Sequence, residues 1–192
     1  TGGKLHIAHG NELGIFTSGG FNFQAKFEST DSEAAIIIED SGSTNDGNRI
    51  GVISDSMTFT TANEEHMRID SSGRVLVNHT TARQVSGGNA LIHIESNNSE
   101  GRINIVQNRN EAASAGFLSL GKSRGTSVGA STIVQNGDVL GTISFAGADG
   151  NGMDSQAASI VGICDGTAGA NDMPGALLFM TSDDGSNNPT EF

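Results

Sequence analysis

Apolar residues come in short bursts along this chain, separated by clusters of Gly, Asn, Asp and Ser, and each burst is too brief for a helix. The bursts are rich in β-branched residues. They predict strands at Ile36-Ile-Ile, Met57-Thr-Phe-Thr, Met67-Arg-Ile-Asp, Val75-Leu-Val-Asn, Ile92-His-Ile-Glu, Ile103-Asn-Ile-Val, Val139-Leu-Gly-Thr-Ile-Ser-Phe, Ile160-Val-Gly-Ile and Ala176-Leu-Leu-Phe-Met. Several alternate apolar with polar, which turns one face inward and one to water. Between them stand Asp46-Gly47, Ser72-Gly73, Asn136-Gly137, Asp149-Gly150 and Asp184-Gly185, all dipeptides that tolerate positive φ. The expected fold is all-β with tight connections. The longest uninterrupted apolar runs, such as Ala34 to Ile38, have five residues. That is far short of the roughly 20 that a membrane-spanning helix needs, so no membrane insertion is expected.

The pattern also repeats. Phe27-Glu28-Ser29, Ser32-Glu33, Ile36 and Ile38 recur 67 residues later as Ile94-Glu95-Ser96, Ser99-Glu100, Ile103 and Ile105. A second echo pairs Met57-Thr-Phe-Thr-Thr61 with Leu177-Leu-Phe-Met-Thr181, each followed by a polar turn and a glutamate, Glu65 or Glu191. The offset has grown to 120, as an insertion within the second copy would produce. These echoes divide the chain into a partial lead-in (1–22), a short β module (23–78), a joint (79–88) around Gly87-Gly88, and a longer module of the same type (89–192) expected to continue past the last residue. Thr1 is no initiator and no charged-then-apolar leader comes after it, so the chain reads as a segment of a longer polypeptide.

Composition makes these modules thin. Leu, Ile, Val and Phe supply 43 of 192 residues, while Gly, Ser, Asn and Thr supply 81. Neither module buries much apolar surface alone, and domains near 60 residues are already marginal. Association of identical chains would supply the missing burial and cover strand edges that otherwise template aggregation. With no Trp or Tyr, a stacking platform for sugars or single strands would have to use the nine Phe, most of which are expected in the core.

Net charge is −12, and all ten Lys and Arg lie at or before Arg124, leaving eight carboxylates and no cation beyond it. Such a surface repels phosphate backbones and anionic membranes, which disfavours nucleic acid as a partner. The single cysteine, Cys164, sits in the apolar run Ile160-Val-Gly-Ile-Cys and reads as a small buried hydrophobe.

Several motifs match catalytic or metal patterns and fail on context. Gly116-Phe-Leu-Ser-Leu-Gly121-Lys122-Ser123 fits the phosphate loop, but its variable positions read as an apolar strand, and Arg124-Gly-Thr-Ser-Val-Gly-Ala-Ser cannot sustain the helix such a loop must open. Gly125-Thr-Ser127-Val-Gly129 fits the nucleophile elbow, yet no histidine lies beyond His93 to serve as its base. The histidines His6, His9, His66, His79 and His93 are dispersed, and only His6 and His9 are closely spaced; on a strand those two would point to opposite faces. Asp149-Gly-Asn151-Gly-Met-Asp154 offers oxygen ligands for Ca2+ but lacks a distal bidentate glutamate, and a solvated turn is the simpler reading. Glu64-Glu65 and Asp183-Asp184 are adjacent pairs rather than converging ones. The residues thus assign no catalytic, cofactor-binding or metal site, and no enzyme activity is expected.

Glu65-His-Met67-Arg68-Ile69-Asp70-Ser71-Ser72-Gly73-Arg74-Val75 resembles the repeat of bacteriophage tail fibres and tailspikes, written Glu-Arg-Met-Arg-Ile-Asp-Ser-Ser-Gly-x-Val. Gly137 to Gly150, Asn171-Asp-Met-Pro-Gly-Ala-Leu-Leu-Phe and Ser186-Asn-Asn-Pro-Thr-Glu191 are similar to further segments of such fibres, so the resemblance covers most of residues 57 to 191. His66 stands where the family usually has arginine, and Phe192 takes the equivalent place in the second module. The resemblance implies an elongated homotrimeric β-fibre, of intertwined sheets or β-solenoid type, that projects from the virion into the extracellular medium. It implies identical chains and other virion tail proteins as partners and host-cell attachment as the role. Because receptor contacts in these fibres lie mostly at the distal tip, this segment reads as shaft. The alternatives are a module binding host surface glycans or another receptor, a polysaccharide-depolymerising tailspike, and a cellular adhesin or filament protein of similar repeat design.

Overall fold

The computed structural model describes residues 29–191. The lead-in, the start of the short module, and His6 and His9 lie outside them. Among the described residues there is no helix and no closed barrel. The chain divides between Ser72 and Gly73 into two compact units.

In the first unit four strands run as an antiparallel meander: β1 (Glu33–Ile37), β2 (Arg49–Ile53), β3 (Ser56–Thr61) and β4 (Glu64–Ile69). Two-residue turns close β2 onto β3 and β3 onto β4. Ser54 and Asp55 have φ of 46° and 63°, Ala62 and Asn63 of 51° and 68°, the paired positive values of type I′ turns, whose twist suits right-twisted strands. The predicted strands fall on β1, β3 and β4. β2 is an addition to them, because Arg49-Ile-Gly-Val-Ile carries a glycine at its centre and so lacks a strand-like pattern. A Cβ on Gly51 would come within 2.9 Å of the Ala34 carbonyl, so the close approach of β1 needs the bare backbone there.

The second unit begins with β5 (Val75–Val77) and β6 (Ile92–Ile94), which pair in parallel with Leu76 opposite His93. Its larger sheet is antiparallel, in the order β10-β9-β8-β7, from β7 (Val139–Gly147), β8 (Ser155–Cys164), β9 (Gly175–Thr181) and β10 (Thr190–Glu191). The second echo is structural: Glu65 pairs with Thr60, and Glu191 with Met180, the residue that lies 120 positions after Thr60. The first echo is structural in its turn, where Ser29 Oγ accepts from Asp31 N–H (3.1 Å) and Ser96 Oγ from Asn98 N–H (3.2 Å), and not in its strand: Ile36 lies in β1, whereas Ile103 belongs to no strand. Four predicted turn dipeptides place their glycine in the left-handed region, Gly73, Gly137, Gly150 and Gly185; at the fifth it is Asp46 instead. Gly87 is not slack: with Ser86 it forms another turn with two positive φ values, closed by Val85 and Gly88. That turn is docked on the sheet by Ser86 N–H to Met153 O (2.9 Å) and a Ser86–Ser144 hydroxyl contact (2.9 Å).

Fully enclosed side chains are few. Val134, Cys164 and Ala168, with Leu140 against them, form a small core at one end of the larger sheet, and Leu76 is buried in β5. Cys164 is the enclosed small hydrophobe expected, its thiol donating to Gly166 O. The strands expected at 103–106 and 117–120 are absent. Among the described residues, segment 103–123 makes one main-chain to main-chain hydrogen bond, Ser114 N–H to Glu111 O. A strand exists only where an edge pairs it, and among the described residues no edge does so there.

Candidate functional site

Register decides which side chains share a face. Across β1–β4, Ile36 pairs with Ile50, Ile50 with Phe59 and Phe59 with Met67; Ala34 pairs with Val52, Val52 with Met57 and Met57 with Ile69. Directly paired residues lie on the same side of a sheet. These eight therefore make one continuous apolar face, and Ile36, Ile50, Val52, Met57 and Ile69 on it stay exposed. A hollow of about 640 Å³ opens among Ala34, Ile36, Ile50, Val52 and Met57. The opposite face of β3 carries Ser56, Thr58 and Thr60, and these hydroxyl residues are the buried ones. The expected arrangement, apolar side inward and polar side to water, is inverted in β3.

The larger sheet behaves in the same way. Ile143 pairs with Ile160 and Ile160 with Phe179; Phe145 and Leu177 fall on the same side through Ala158 and Gly162. Ile143, Phe145, Leu177 and Phe179 are all exposed, Leu177 by 67%. Its other face, with Val161 and Ser159, is partly covered by the Ser86 turn. Segment 103–123 adds Ile103, Val106, Phe117 and Leu118, each more than two-thirds exposed. Leu120 crosses Gly141 so closely that a Cβ there would meet the leucine Cβ at 2.5 Å. The expectation that most Phe are core fails for Phe117, which lies in a segment without a strand, and for Phe145 and Phe179, whose sheet face is only partly covered among the described residues, by Leu120 at Gly141.

The catalytic and metal motifs meet different surroundings. Residues 116–123 form neither strand nor helix, so the phosphate-loop context of strand then helix is missing. Ser127 sits in a short turn closed by Ala130 N–H to its carbonyl, with Val128 fully exposed beside it. Asp149 spends its carboxylate on its own turn, accepting from Asn151 N–H (2.8 Å), Gly152 N–H (2.9 Å) and the Ser155 hydroxyl (2.8 Å). Those bonds pull its pKa down to about 2. Asp154 accepts from Gly87 N–H (3.2 Å), so the two carboxylates bond to different loops. Glu65 is held in a bidentate pair by Arg68, at 2.5 and 2.6 Å, and hydrogen bonding to Glu65 raises the Arg68 pKa. Asp138, gripped by Arg124 at 2.6 and 2.7 Å and by Gln135 N–H, lies well below the usual carboxylate range.

One convergence escapes linear reading. His79 and His93, dispersed in sequence, meet with ring centroids 4.3 Å apart and planes at 62°. Glu95 joins them, its Oε2 3.4 Å from His93 Nε2. Burial, then the neighbouring His79, holds the His93 imidazole below its ordinary pKa. The only sequence signal is that His93 and Glu95, two apart on and just after β6, share a face. No family model matches this chain, and no curated protein matches it.

Proposed function

We propose that this chain is a structural shaft segment of a homotrimeric viral tail fibre, projecting from the virion and supporting host-cell attachment. The observation that carries the reading is the apolar face of each sheet left largely open among the described residues, Ile36 to Ile69 in the first unit and Ile143 to Phe179 in the second. Burying a side chain of this size from full exposure stabilises by about 1.5–3 kcal/mol; these are 38–67% exposed, so each would contribute a part of that and the two faces together favour association. Identical chains satisfy both faces at once and supply strand edges to the unpaired segment 103–123. Resemblance to the tail-fibre repeat at Glu65 to Val75 selects the threefold symmetry, the extracellular location and the tail proteins as neighbours.

Multi-angle light scattering on the full chain at micromolar concentration is expected to give three times the 19.7 kDa chain mass. Phe179→Asp, which sets a charge on the open face of β9, should shift the population toward smaller species. A stable, folded, monodisperse monomer of the unaltered chain would overturn the reading.

A further inference from the structure

We infer that His79, His93 and Glu95 form a zinc-class divalent metal site within a single chain. One ligand atom from each lies within 4.8 Å of the others. In zinc sites the bonds are about 2.0–2.2 Å, and two imidazoles with one carboxylate leave the fourth position to water. Binding would need the three side chains to rotate until the present spacing closes to that geometry. The backbone brings the three together firmly. Glu95 N–H bonds Val77 O (3.2 Å) and the Asn78 amide bonds Glu95 O (3.1 Å), while Asn78, at φ 62°, bends the chain leaving β5 so that His79 meets His93.

An independent observation points to a ligand. His79 Nε2 is buried and has no hydrogen-bond partner, an unusual state for a buried imidazole nitrogen and one that a metal bond would satisfy. The His93 side chain keeps only 10% of its exposure, so its ring is fixed as well. Arg83 grips both Glu95 oxygens, Nε at 3.0 Å and Nη2 at 2.6 Å, and fixes the carboxylate's orientation while leaving lone pairs free. Its charge also offsets that of Glu95, so affinity rests chiefly on the two imidazoles. A cleft of about 450 Å³ lined by Arg83, Val85, Ile92, His93 and Ile103 reaches the site from the His93 side.

The test titrates Zn2+ into the chelator-stripped full chain by calorimetry. The expected result is one ion per chain, with the thermal midpoint raised by zinc. His79→Asn and His93→Asn should each weaken binding at least tenfold and abolish the zinc-dependent midpoint shift, Glu95→Gln less so, and His6→Asn/His9→Asn should change neither. Absence of saturable binding, or full affinity in the His79→Asn/His93→Asn chain, would overturn the site. If those variants do not fold, Co2+ on the unaltered chain decides. Intense visible bands of a four-coordinate centre support the site, and a weak six-coordinate spectrum rejects it.

Discussion

Asp138 and Asp149 act on the backbone beside them. Asp138 ties Arg124 to the turn at Asn136-Gly137, next to the small core of Val134, Leu140 and Cys164, and Asp149 closes its own loop with three donors. Both have pKa values depressed in the folded chain, that of Asp149 from 3.8 to about 2. A depressed folded pKa means stability that is complete above the unfolded value and lost as pH falls through the folded one. The thermal midpoint should therefore drop between about pH 4 and pH 2, and Asp149→Asn should flatten that part of the profile. Superimposable acid limbs for the two proteins would refute the assignment. The turn dipeptides were legible because Gly after Asp, Asn or Ser announces a backbone need in two adjacent residues. The pairing of His79 with His93 was not legible, since it depends on the parallel alignment of β5 with β6, which no local pattern encodes.

At the level of elements, the first unit is governed by its two I′ turns. Neither Ser54-Asp55 nor Ala62-Asn63 contains glycine, and alanine in the left-handed region costs about 1 kcal/mol or more. Ala62→Asn, which puts a residue tolerant of that region at an exposed position, should stabilise by about 0.5–1 kcal/mol, read as a rise in the urea midpoint. A fall would show that contacts of the turn with Gly47 and Asn48 matter more than its dihedral angles. Strand periodicity located β3, β4 and β7–β9 because pairing partners lie nearby in the chain. It misplaced a strand at Ile103 for the complementary reason: alternation records a strand's faces and says nothing about whether an edge is available. The inverted burial of β3 was equally hidden. Met57 and Phe59 alternate with Thr58 and Thr60 as in any amphipathic strand, and the pattern does not say which side is closed.

At the scale of the whole molecule, the low share of large apolar residues announced a small core, and among the described residues the second unit has one of a few side chains. What composition could not convey is where many of those residues go: into register-matched faces instead of scattered positions. If the open faces close on other chains, as proposed, folding rates are affected. Completion of the fold would then be a reaction of higher than first order in chain, competing with edge-to-edge pairing along β1 and β7. Recovery after dilution from denaturant should therefore speed up as chain concentration rises through the low micromolar range, whereas a self-sufficient domain would refold at a constant rate. Chains released together from one message would hold the advantage, because their local concentration, more than their individual stability, sets how quickly the open faces disappear.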